Sequence, residues 1–343
     1  MDLTSWLLQR TAPRPFVVTG LGGAATRLGV EREMRERGWT PALSPAAANL
    51  LLFCGSGASG LDDVVGRVWD QLARPRAREG LSTPERVGTQ LDRAQEQLTD
   101  IHLQRADVDP PESTSQHGDM GMEMPGGLPM ANRGPDRDGL ILDQLHVPLG
   151  PALPDWPAGL ALHLVLQGDV VQDVTVEVMG TAAGSYWAAH PTLPQNHRQA
   201  AAALDSLQRL LSVAGWPAAA MTGRRLRDDL LAGVAPESIR AVWSSWDRRI
   251  RRSRTLRWST DRVGVRRDGD VTARAVRWLD ITAAAWTGDN PPGVPERSNA
   301  AEDVLAELPT LLIGQELAAV RLIVASLDPD LEALTGVREQ HSG

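Results

Sequence analysis

Apolar residues fall along this chain in two kinds of run. Between residues 14 and 105, short and fully apolar stretches alternate with longer amphipathic ones. PFVVTG (Pro15 to Gly20) and NLLLFC (Asn49 to Cys54) have the length and continuity of strands covered on both faces. TRLGVEREMRERGW (Thr26 to Trp39) and LDDVVGRVWDQL (Leu61 to Leu72) follow them with helical spacing. STPERVGTQLDRAQEQL opens with Ser82 as an N-cap and carries Pro84 in the first turn, which starts a further helix. Strands alternating with helices predict an α/β domain with a parallel, doubly wound sheet.

From residue 140 the pattern is β, then α, and an α+β domain over 140–343 is expected. Leu160, Leu162, Leu164 and Leu166 alternate with smaller or polar residues. Gly168-Asp169 is a two-residue hairpin signal, and Val174, Val176 and Val178 resume the alternation behind it. An antiparallel hairpin sheet should therefore come first. A helical bundle follows: Leu204, Leu207 and Leu211 share a face, as do Leu317, Val320, Val324 and Leu327. Residues 106–139 between the two domains are rich in Pro, Gly, Met and polar residues and read as a linker or extended arm. Pro148, Pro151, Pro154 and Pro157 stiffen the entry to the hairpin.

Composition narrows the function classes. At 343 residues the chain can bury two cores. No apolar run reaches the roughly 18 to 20 residues of a membrane span, and MDLTSWLLQR lacks the basic opening of a secretory signal, so a cytoplasmic protein is expected. The net charge of −8 argues against general nucleic-acid binding. Every basic charge is an arginine; there is no lysine. Cys54 is the single cysteine, so no intrachain disulfide forms, and the chain alone cannot ligate an iron–sulfur cluster or a nickel–iron centre.

Three segments carry candidate chemistry. GSGASG fits G-x-G-x-x-G through Gly55, Gly57 and Gly60 between a strand and a helix, the context in which glycines admit a dinucleotide phosphate. Ordinary tight turns have the same composition, and no strand ending in Asp or Glu follows about 20 residues on. GLGGAA (Gly20 to Ala25) is a looser match. His117, Met120, Met122 and Met124 could hold a soft metal such as Cu(I), or the methionines could fill apolar dimples on a partner. In WSSWDRRIRRSRTLRW, Trp243, Trp246 and Ile250 share a helical face and leave Arg248, Arg249, Arg251, Arg252 and Arg254 outside. That is either a solvated face over a core stripe or a surface for an acidic subunit or anionic lipid. No G-x-S-x-G occurs, and His190 and His197 lack zinc-site spacing.

LGPALPDWPAGLALHLVLQGDVV resembles the start of the large catalytic subunit shared by respiratory complex I and group 4 membrane-bound nickel–iron hydrogenases. That family has G-P-x-H-P leading into two strands; Gly150, Pro151 and Pro154 match, and Gly168-Asp169 stands at the hairpin. Thr260, Val263, Gly264 and Val265 partly match a later T-x-G-V-G motif, so the resemblance covers roughly 140–330. The α/β part is similar, more weakly, to the small cluster-bearing subunit of the same complexes. The departures fall on the ligands. The family histidine that serves quinone is Leu153 here, near Trp156. Gly22, Gly23 and Ala24 occupy the turn where thiolates would stand, and the C-x-x-C pairs are absent. The resemblance implies a non-catalytic subunit, with no cofactor of its own, peripheral on the inner face of the cell membrane. Its partners would be antiporter-like membrane subunits and iron–sulfur subunits. A nucleotide-binding oxidoreductase subunit using GSGASG is the alternative.

Overall fold

The computed structural model describes residues 8–55, 61–107, 132–135, 141–181, 184–188, 193–287 and 297–334. The first part is α/β as expected. It runs β1 (Pro15–Thr19), α1 (Ala24–Glu36), β2 (Leu50–Cys54), α2 (Leu61–Asp70), β3 (Ala77–Leu81), α3 (Val87–Thr99) and the short α4 (Ile101–Ala106). The three strands are parallel in the order β1-β2-β3. Leu50, Leu52 and Cys54 point to the face covered by α1 and α3; Phe16, Val18 and Leu51 point to the face covered by α2. Covering both faces is what lets β2 be apolar throughout.

One strand carries no sequence signal, and one expected helix cap does not form. β3 occupies AREGL, a polar stretch without a strand signature. As an edge strand it buries only its end residues, Ala77 and Leu81, and leaves Arg78 exposed. Ser82 does not cap the following helix. A 3-10 turn at Pro84–Arg86 intervenes, and Thr83 ahead of it makes no side-chain cap.

The second part opens with a four-stranded antiparallel sheet: β4 (Asn132–Pro135), β5 (Ile141–Leu149), β6 (Leu160–Gln167) and β7 (Val170–Val178), in chain order. β4 lies within the expected linker, so this piece of it belongs to the sheet. Most of the remaining arm, with His117, Met120, Met122 and Met124, lies outside the described residues. The β6–β7 turn places Gly168 at φ +62°, as a two-residue hairpin with glycine first requires. Among the described residues seven helices follow: α5 (Gln195–Val213), α6 (Pro217–Leu231), α7 (Pro236–Arg251), α8 (Arg254–Thr260), α9 (Val271–Thr287), α10 (Arg297–Leu312) and α11 (Leu317–Leu327). Among the described residues no helix is long and apolar enough to cross a membrane.

The core of this part is built around α5, with Leu204, Leu207 and Leu211 fully buried against the sheet and the other helices. Leu21 and Leu28 of the first part belong to the same apolar cluster. The two parts are thus joined through a continuous core. The partial T-x-G-V-G match is structural: Thr260 donates to the Leu256 carbonyl, and Gly264 (φ +56°) packs on Ile323 and accepts from Arg274.

The proline-rich entry to the hairpin is fixed by Trp156. Its indole is buried and donates from Nε1 to the Leu160 carbonyl at 2.8 Å. Gly150 adopts φ +85°, and a Cβ there would lie 2.4 Å from both the Leu160 oxygen and Trp156 Nε1. Gly168 has a similar φ with nothing within 4 Å. Gly150→Ala should therefore destabilise the protein by about 3 kcal/mol or more, combining backbone strain with a collision. Gly168→Ala should cost only the strain, about 1 kcal/mol. Urea unfolding of the two variants checks the difference, and equal losses would refute this packing.

Candidate functional site

Where α1 crosses α5 and α6, a network of charged side chains is shut away from water. Its hub is Asp205 in the AAAALDSLQRLL stretch of α5, a carboxylate with no solvent exposure. Arg27 Nη2 donates to Asp205 Oδ2 at 2.7 Å, Arg227 Nη1 to Oδ1 at 2.6 Å, and Arg209 Nη2 to Oδ2 at 3.0 Å. Glu31, one turn after Arg27, accepts from Arg27 and Arg227, both at 2.7 Å. Asp228 accepts from Arg227 at 2.7 Å and from Arg35 at 3.2 Å. Arg209 reaches on to Asp328 at 3.0 Å. The planar guanidinium serves two carboxylates at once, which a lysine ammonium does less well in so confined a place.

Burial and pairing pull these groups in opposite directions. Burial alone would raise Glu31, but Arg27, Arg227 and Arg224 hold it down at about 2. Asp205 is likewise disfavoured by burial and is still carried well below the carboxylate range by Arg27, Arg209 and Arg227. Asp228 and Asp328 are raised, because desolvation outweighs their arginine partners. Glu31 and Asp205 therefore stay ionised at neutral pH, and their oxygens are already occupied by arginine.

Above this network lies a cleft of about 270 Å³ between the two parts of the chain. Val17, Met34, Trp39, Leu153, Trp156 and Met221 form its apolar walls, and Arg27, Glu31, Arg35 and Arg224 reach it from the network. Arg224 is tied to Asp155 at 2.8 Å and to Gln208 at 2.7 Å. Leu153, at the position of the family histidine in the resemblance, contributes an aliphatic wall. Such a cleft can enclose an apolar group. It has no histidine, and Glu31 cannot exchange a proton near neutral pH.

Each glycine turn stands between a strand and the start of a helix. GSGASG does sit between β2 and α2, with Gly55 at φ +128°; Gly57 and Gly60 lie outside the described residues. The first turn of α2 carries Asp62 and Asp63, whose charge at a helix N-terminus competes with a phosphate. β3 stands where the ribose-binding acid would be sought, and it ends in Leu81. The other turn, Gly20 to Gly23, packs so closely on β2 that a Cβ on Gly23 would lie 2.3 Å from the Cys54 carbonyl. The helix N-terminus it leads into is closed by a distant residue. Glu332 Oε1 accepts from the Ala24 backbone N–H at 3.1 Å, while its Oε2 accepts from the Tyr186 N–H at 3.4 Å. The anion position at α1 is filled by the chain's own carboxylate. Cys54 is fully buried, and burial pushes its thiol up to about 12, so it stays protonated and unreactive.

Of the Arg/Trp segment expected to meet a partner, Trp243 and Trp246 do not lie on the outer surface. Trp246 is buried and donates to the Ala219 carbonyl at 2.9 Å. Trp243 packs on Trp286 with ring centroids 5.8 Å apart. Both belong to the interior because their spacing makes them the inward stripe of α7. Arg251 is engaged by Asp247 and Asp280, each at 2.8 Å. Arg248, Arg249, Arg252 and Arg254 are exposed, Arg249 lying over the Trp216 ring at 5.2 Å. His197 sits in the first turn of α5, and His190 lies outside the described residues. No cluster of three or more potential metal ligands occurs among the described residues.

Removing the hub should be severe. Asp205→Asn leaves Arg27 and Arg227 buried without their counter-charge and should cost about 3–5 kcal/mol in chemical denaturation. The network also sets an acid dependence. A carboxyl held low in the folded state stabilises fully above its ordinary pKa of 4.5 and loses that contribution as pH falls towards 2. For Glu31 the loss over this window is roughly 3 kcal/mol. Glu31→Gln should be less stable at pH 7 and flatter between pH 5 and 2. Parallel unfolding curves for the two proteins across that window would contradict the assignment.

No protein-family model matches this chain, and no curated protein is significantly similar to it.

Proposed function

We propose that this chain is a non-catalytic structural subunit of a complex I-like or membrane-bound hydrogenase-like assembly, held peripherally on the inner face of the cell membrane. The observation that carries the reading is the cleft between the two parts. By the resemblance, the position that serves quinone falls at Leu153, in the wall of this cleft. In this chain its walls are Leu153, Trp156 and other apolar side chains, and its charged floor is spent on internal ion pairs. The same pairs fix the small-subunit-like part to the large-subunit-like part, which suits a scaffold and gives no route for protons. Redox centres would be carried by iron–sulfur subunits, and anchorage would come from antiporter-like membrane subunits.

The test is affinity capture of the protein from native membranes in mild detergent, with mass spectrometry and iron analysis of the eluate. Membrane subunits of the antiporter type should be recovered with it, and iron should track the cysteine-rich partners. A protein recovered alone, with no partner subunits in membrane or soluble fractions, would overturn the reading.

A further inference from the structure

Residues 248–262 contain seven arginines and one aspartate in a chain whose net charge is −8. Of the seven, Arg251 is neutralised by carboxylates. Arg248, Arg249, Arg252, Arg254, Arg257 and Arg262 are exposed and have no carboxylate partner among the described residues. Beside them Trp258 is 86% exposed, an extreme value for a side chain that normally contributes most of its area to cores and interfaces.

The local fold explains how these side chains come together. Arg254, Arg257 and Trp258 stand at i, i+3 and i+4 on α8 and so share one face. Leu256 packs inward on the core, and Thr260 is held inside by the Leu256 carbonyl and Thr272. The outward face is thus fixed by packing beneath it. It is strongly cationic and bears a single large indole; the small apolar cleft beside it, between Ile250, Leu256 and Leu279, has room for about 20 Å³ and opens towards the core rather than a partner-sized surface. A stable protein interface places a packed apolar core of many residues inside a polar rim, and this face has no such core. A fluid anionic layer needs no shape match: it receives guanidinium groups at its phosphates and an indole at headgroup depth.

We infer that α8 and the adjoining end of α7 dock on the surface of an anionic phospholipid bilayer, with Arg254 and Arg257 on lipid phosphates and Trp258 among the headgroups. The inference rests on the peripheral placement proposed above and names the surface that makes it. It is tested without any partner subunit, so its failure and that of the assembly reading are separable.

The experiment is co-sedimentation of the purified full chain with vesicles of phosphatidylcholine alone or mixed with phosphatidylglycerol, at several salt concentrations. Binding should need phosphatidylglycerol and weaken as salt screens the charges. Arg254→Gln with Arg257→Gln should reduce partitioning roughly tenfold or more, and Trp258→Ser should reduce it independently. All three side chains are exposed, so circular dichroism should show unchanged folding. Absence of binding to either vesicle, equal binding to both, or variants that bind as the parent does would each overturn the inference. An acidic subunit that binds this face while vesicles do not would assign it to a protein instead.

Discussion

The charged junction between the two halves of this protein is organised around the carboxylate of Asp205. Three guanidinium groups converge on it, from α1, α5 and α6, in a place with no access to water. A charge so placed is tolerable only while all its partners are present. The geometry of the crossing is therefore specified more strictly than apolar packing alone would demand, because a small slide of α1 would leave buried ions unmatched. Leu21 and Leu28 supply attraction across the same junction, but they would accept several neighbouring arrangements.

That rigidity bears on function. An enzyme working at a junction of this kind needs groups able to gain or lose protons, and some freedom to admit a substrate. Here the ionisable groups are committed to each other, Glu31 is held at about 2, and the wall facing them is aliphatic and aromatic. This is the physical basis on which a scaffolding role is proposed for the junction. Of the two glycine turns, one leads to a helix start already served by Glu332 and the other to a helix start bearing Asp62 and Asp63.

The parts of the fold that could be read from sequence are those whose side chains follow a single period. β1, β2 and the β6–β7 hairpin declare themselves by continuous or alternating apolar residues. β3 does not, because an edge strand needs only two buried residues and can spend the rest on Arg78 and Glu79. The charged network was hidden for a different reason. Arg27 and Glu31 are spaced like any solvated pair on a helix surface, and only the arrival of α6, some 190 residues later, removes them from water. The one local hint is an aspartate set among alanines and leucines at 205. The stripe of Trp243, Trp246 and Ile250 has the correct periodicity, but spacing alone does not say whether the apolar face or the basic face meets the protein. The structure turns the tryptophans inward, and Trp258 on the next helix is the one left outside.

The bond from Glu332 to the start of α1 spans 308 residues of sequence. It ties a helix near the beginning of the chain to a turn near the end of the described fold. During synthesis the α/β part leaves the ribosome long before residue 332 exists, so α1 must first form with its leading N–H groups uncapped and Arg27 and Glu31 facing water. Only when α5, α6 and the segment after α11 have arrived can that helix be finished and its charges enclosed. The start of α1 is thus completed by a residue translated 308 positions after it.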